Sequence, residues 1–164
     1  RISDRHAKSM TDLGGRHAGK RIMFLSLKKS FHGRRDRPAQ VSDSSLPRYK
    51  EYLASFRDRD NLVTVEMNDI EGIEKAFDTI EKQNIFLEAM FVEPVQGEGD
   101  PGKAITPAFY KRACELTRKH GSLLVVDSIQ AGLRAHGCLS IIDYPGFEGL
   151  PYPDMETFSR ISYF

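Results

Sequence analysis

Apolar residues gather into four short runs, separated by stretches in which they recur with a helical period. Arg21 to Leu27 (RIMFLSL), Asn61 to Met67 (NLVTVEM), the run IFLEAMFVEP and the run SLLVVD ending at Asp127 read as strands. Between the second and third, Ile70, Ile73, Ala76, Phe77 and Ile80 form the stripe of an amphipathic helix, with an Asn or Asp before it as cap. Between the third and fourth, TPAFYKRACELTRKHG predicts a helix in which Thr106 caps, Pro107 takes the first helical position and Gly121 ends it. The alternation of strand and helix implies right-handed crossovers and an α/β fold with a largely parallel sheet covered by helices. The first 20 residues are polar and broken by Gly-Gly and Ala-Gly-Lys, which predicts a poorly structured segment with at most one weakly anchored helix. PAQVSDSSLPRYKEYLASF mixes Pro and Ser and reads as a long loop with a short helix near Tyr49 to Phe56.

A length of 164 residues suits one domain with a real core. The net charge of +1 argues against a dedicated nucleic-acid binder, whose footprint is a basic surface. Arg34, Arg35 and Arg37 cluster around Asp36, either as a solvated loop or as an anion site. Cys114 and Cys138 match no metal or redox spacing and read as free thiols of a cytoplasmic protein. No apolar run approaches the length that crosses a bilayer, and no signal peptide opens the chain, so no membrane partner is expected. The start at Arg1 rather than Met and the end at SYF suggest a piece of something larger.

Gly97 to Lys103 comes close to a phosphate-cradling loop, which would make the chain a nucleotide binder. Ala104, however, stands where a Ser or Thr hydroxyl is needed for Mg²⁺. Pro101 removes an N–H from such a cradle, and Glu98 and Asp100 would set carboxylates against an anion. A different grouping is better supported. Phe31-His32-Gly33-Arg34 follows one strand, Glu93 ends a second and Asp127 ends a third, and ligands of parallel sheets sit at the carboxyl ends of strands.

FHGR (Phe31 to Arg34), VEPVQGEG (Val92 to Gly99), VVDSIQAG (Val125 to Gly132) and PDMETFSR (Pro153 to Arg160) resemble, in order and spacing, the class III aminotransferases, pyridoxal-phosphate enzymes of fold type I. The resemblance makes residues 21–164 a partial large, cofactor-binding domain. It implies that Asp127 pairs with the protonated pyridine nitrogen, that Phe31 and Ile129 cover the two faces of the ring, and that Gln130 bonds near its phenolic oxygen. His32 and Glu93 then belong to the cofactor network, Arg34 grips a substrate carboxylate, and Glu98 helps control an arginine met later in such enzymes. The implied partners are an amino acid or amine donor, a 2-oxo acid acceptor, and a second subunit, as a homodimer or with a full-length paralogue. Two substitutions depart from the pattern. Ser128 stands where the family usually has Glu, and Arg160 stands where it has its Schiff-base lysine. A guanidinium stays protonated and cannot act as that amine. The resemblance therefore implies aminotransferase ancestry with this chain inactive, a pseudo-enzyme or dimerising module as the alternative.

Overall fold

The computed structural model describes residues 1–131 and 137–158. Five strands, β1 (Arg21–Leu27), β2 (Leu62–Val65), β3 (Ile85–Val92), β4 (Leu123–Asp127) and β5 (Met155–Thr157), form one sheet in the order β2-β1-β3-β4-β5. Every neighbouring pair is parallel. Helices α4 (Ile70–Lys82) and α5 (Pro107–His120) cover one face. There Leu25, Leu27, Leu87, Met90 and Val92 from the strands meet Ile73, Phe77, Phe109 and Tyr110 in the main core. Both helices begin as the pattern predicts. The Asp69 carboxylate accepts the Gly72 N–H at 2.8 Å, and the Thr106 hydroxyl accepts the Phe109 N–H at 3.3 Å. Gly121 closes α5 in the left-handed conformation, at φ 83°.

The alternate strand residues Phe24, Phe86 and Phe91 face the other side, where α1 (Ile2–Thr11) and α2 (Asp36–Val41) lie. Here the structure departs from the sequence expectation. The opening segment is part of the packed unit: His6, Arg16 and His17 donate to the carbonyls of Gly121, Lys119 and His120 at 2.8, 2.7 and 2.7 Å. These are the carbonyls that the end of α5 leaves without helical partners. The His17 ring also stacks on Phe86 at 4.7 Å. Hydrophobic periodicity carries no trace of such polar anchors, which explains the weaker expectation. Helix α2 falls in a stretch read as loop; its Pro38 sits in the first turn, where the missing N–H costs nothing. Helix α3 (Leu46–Tyr52) and a 3₁₀ turn (Ala54–Phe56) occupy the region expected to hold one short helix.

The β1–β3 register slips once. Met23 pairs with Leu87 but Leu25 pairs with Met90, so β3 holds an extra residue where Glu88 and Ala89 stand. Such bulges re-aim side chains.

Candidate functional site

The carboxyl ends of β1, β3 and β4 bring the predicted residues together. Phe31, His32, Gly33, Glu93, Asp127, Ile129 and Gln130 line one cavity of about 110 Å³. Asp127 is buried at the end of β4 and is bound from three directions. Its Oδ1 accepts the Ile129 N–H and the Thr157 hydroxyl, both at 3.2 Å, and its Oδ2 lies 3.0 Å from His32 Nδ1. A carboxylate offers about four acceptor positions, so one remains on Oδ2. Facing a carboxylate, Nδ1 is assigned as the protonated ring nitrogen of His32. The buried Nε2 has no partner among the described residues.

Glu93 ties two turns together. Its Oε2 accepts the Phe31 N–H at 3.1 Å and its Oε1 the Gly97 N–H at 3.3 Å. Burial pushes the carboxyl up to about 7, against the opposing pull of His32 and of the two amide donors, with Asp127 adding to the rise. Gly97 leaves room for the Gln130 amide: a Cβ there would fall 1.7 Å from Gln130 Oε1, and that side chain would have to move. Gly99, at φ +91°, passes so close to the Lys29 carbonyl that a Cβ would lie 2.1 Å from its oxygen.

Arg34 lies at the rim, 72% exposed, with its guanidinium 5.5 Å from the Phe31 ring centre and 3.6 Å from Glu98. Ile129 is 43% exposed, so one apolar face of the pocket remains open. Of the predicted residues, Arg160 lies outside the described residues.

The Gly97–Lys103 turn is unlike a phosphate cradle. Several of its N–H groups are taken up within the turn or by Glu93: Gln96 donates to Lys103 O, Gly102 to Gln96 O, Lys103 to Asp100 O and Gly97 to Glu93. Lys103 pairs with Asp100 at 3.8 Å, and α5 starts only at Pro107. Among the described residues no cluster of His, Cys, Asp or Glu is arranged to hold a metal ion, and no helix is long and apolar enough to cross a membrane.

Several residues of the site escape sequence reasoning. The Ser42 hydroxyl accepts the His32 N–H at 2.9 Å and donates to the Gly33 carbonyl at 2.8 Å, shaping the turn after β1. Thr157 lies inside a quoted motif, but only the β4–β5 pairing reveals its bond to Asp127. Glu156 accepts from Ser128 Oγ (2.6 Å), Ser140 Oγ (2.7 Å) and the Ile141 N–H (3.0 Å), so a neighbouring strand brings a carboxylate up against Ser128. No local pattern marks either residue.

The fold and site together define a parallel α/β domain with a buried carboxylate in a pocket at its strand ends. The aminotransferase class-III family model matches residues 6–161, and the chain belongs to that family. It is 35% identical over 150 residues to acetylornithine aminotransferase of Xanthomonas axonopodis pv. citri, covering 89% of this chain and 32% of that protein. To 4-aminobutyrate aminotransferase of Dictyostelium discoideum it is 29% identical over 150 residues, covering 85% of this chain and 30% of that protein. Ornithine aminotransferase from Toxoplasma gondii, a structure with partial PLP occupancy at its active site, superposes with a TM-score of 0.70 at 25% identity, over 96% of this chain and 33% of that one. The chain thus spans about a third of the length of these relatives.

Proposed function

We propose that this chain is a partial large domain of a class III aminotransferase that binds pyridoxal phosphate through Asp127. The protein would serve transfer of an amino group between an amino acid or amine and a 2-oxo acid. The observation that carries the reading is the buried Asp127 carboxylate, oriented by His32 and Thr157, with one acceptor position left beside a cavity bounded by Phe31 and Ile129. That position suits the N–H of a protonated pyridine. When bound, pyridoxal phosphate supplies an electron sink that stabilises the carbanion left when a donor loses its α-proton.

The chain's own residues then divide the remaining work. Asp127 holds the proton on the ring nitrogen, and His32 keeps the carboxylate in position. Phe31 and Ile129 would enclose the ring and Gln130 would offer it an amide, while Glu93 fixes the turns that carry Phe31 and Gly97. Arg34 is suited to a substrate carboxylate, because its exposed pair with Glu98 is of the kind that contributes at most about 1 kcal/mol and is readily exchanged. Arg160 is where the reading of a non-catalytic module gains support, since a guanidinium cannot supply a nucleophilic amine at neutral pH. The chain accordingly binds the cofactor without efficient transamination, and associates with a second subunit in the cytoplasm.

The test is to incubate the purified chain and an Arg160→Lys variant with pyridoxal phosphate, reduce with borohydride and map labelled peptides. The expected result is a label at position 160 in the variant and no single preferred lysine in the parent. A specific label in the parent together with turnover of amino donors overturns the proposal.

A further inference from the structure

Residues 1–20 are held to the sheet mainly by side-chain hydrogen bonds. In α1 only Ala7 is buried, and the main core includes no residue before Met23. The fastening lies where α5 ends, at the carbonyls that His6, Arg16 and His17 bond, with an ion pair between Asp4 and Arg37 as a further tie. At its centre are two buried rings: His17, stacked on Phe86, lies 4.9 Å from His120. Their hydrogen bonds fix where the protons sit. A carbonyl only accepts, so His17 Nε2 carries the proton it gives to His120 O, and His17 Nδ1 is a buried lone pair with no partner among the described residues. His120 Nε2 accepts the Leu87 N–H, which leaves the His120 proton on Nδ1, 3.8 Å from Glu81.

A second proton on His17 would land on the buried Nδ1, where nothing accepts it, and one on His120 would meet the Leu87 N–H. Burial accordingly lowers the pKa of both rings, with Arg16 and Lys20 of the opening segment adding to the fall. Glu81 of α4 opposes it at both rings and the His120 carbonyl at His17, while β3 and α4 also present the uncharged Phe86, Leu87 and Phe77. We infer that residues 1–20 form an acid-released flap: protonation of His17 and His120 undoes their seat against Phe86 and the end of α5 while the sheet stays folded. In the open form both rings reach water and take up protons freely, so acid favours opening. The sheet persists because the main core includes neither ring, and because Glu93 holds its proton more tightly in the folded state. Arg1 and Ser3 line a cavity of about 270 Å³ that Asp127 also lines, so release opens that cavity to solvent. The flap goes beyond the cofactor reading and is tested without cofactor.

The experiment is hydrogen–deuterium exchange of the full chain, free of pyridoxal phosphate, at about pH 7 and about pH 4.5, corrected for the intrinsic effect of pH and read peptide by peptide. Protection across residues 2–20 is expected to fall by about tenfold or more at the lower pH, the effect of one net unit of pKa difference, while β1 and β4 keep theirs. His17→Gln retains a donor for the His120 carbonyl and His120→Gln an acceptor for the Leu87 N–H, and neither glutamine titrates. Each variant is expected to lessen the fall, and the two together to abolish it. Segment and sheet losing protection together, a segment that keeps its protection, or an undiminished fall in the double variant overturns the flap. Where a variant does not fold by circular dichroism near pH 7, the parent's contrast between segment and sheet decides by the same criteria.

Discussion

Burial of Glu93 between the Phe31 and Gly97 amides raises its carboxyl to about 7 from the 4.5 of a free side chain, and that difference is a stability term. The unfolded chain releases this proton first, so the contribution is complete below pH 4.5 and is lost as pH rises through about 7. The shift corresponds to roughly 3 kcal/mol. Glu93→Gln, which is neutral throughout, is expected to gain on the parent by that order between pH 5 and 8 in urea melts, with weaker cofactor binding. A gap that stays constant with pH contradicts the assignment. The residue scale is also where the sequence is most legible. Phe31, His32, Glu93 and Asp127 each follow or end a strand run, so the rule that ligands sit at strand ends finds them without coordinates. Glu88 can be flagged as an acid in an apolar run, but its pairing with Arg37 of α2 leaves no local signal.

His120 ends α5 and joins three elements. Its Nε2 accepts the Leu87 N–H at 3.3 Å, so this nitrogen carries no proton, and the ring packs 4.9 Å from His17 and 5.7 Å from Phe86. Burial, followed by the like charge of a protonated His17, lowers His120 from 6.5 to about 4, with Lys20 and Arg16 adding to the fall and Glu81 opposing it. The sign is opposite to that of Glu93. The unfolded chain takes up a proton first, and stability falls as pH drops from 6.5 towards 4. The two slopes overlap and offset each other in the parent. His120→Gln keeps an acceptor for Leu87 and is expected to unmask a loss of stability with rising pH; Glu93→Gln is expected to unmask the acid loss. Urea midpoints at half-unit pH steps check both. Thr106→Ala, which removes the cap of α5, is expected to cost about 1 kcal/mol without changing either slope. Helices α4 and α5 were readable because each has a stripe, a cap and a stop. The opening segment was underestimated because its anchors, His6 of α1 and Arg16 and His17 after it, are polar side chains reaching carbonyls about a hundred residues away.

The main core runs without a break from β2 and α4 through β3 to α5 and β4, so the described residues form one packed unit. Leu87, fully buried at the sheet centre, is expected to cost about 2–5 kcal/mol when cut to Ala, shifting a single cooperative transition rather than splitting it. The same sheet delivers Asp127, Glu93 and the Phe31 turn to one pocket. The most direct test of the account is equilibrium binding of pyridoxal phosphate to the full chain and to Asp127→Ala, followed by absorbance and by calorimetry. The account predicts saturable one-to-one binding that weakens by about tenfold or more in the variant, the effect of losing a charged hydrogen bond. Absence of binding by the parent, or equal binding by the variant, would contradict it.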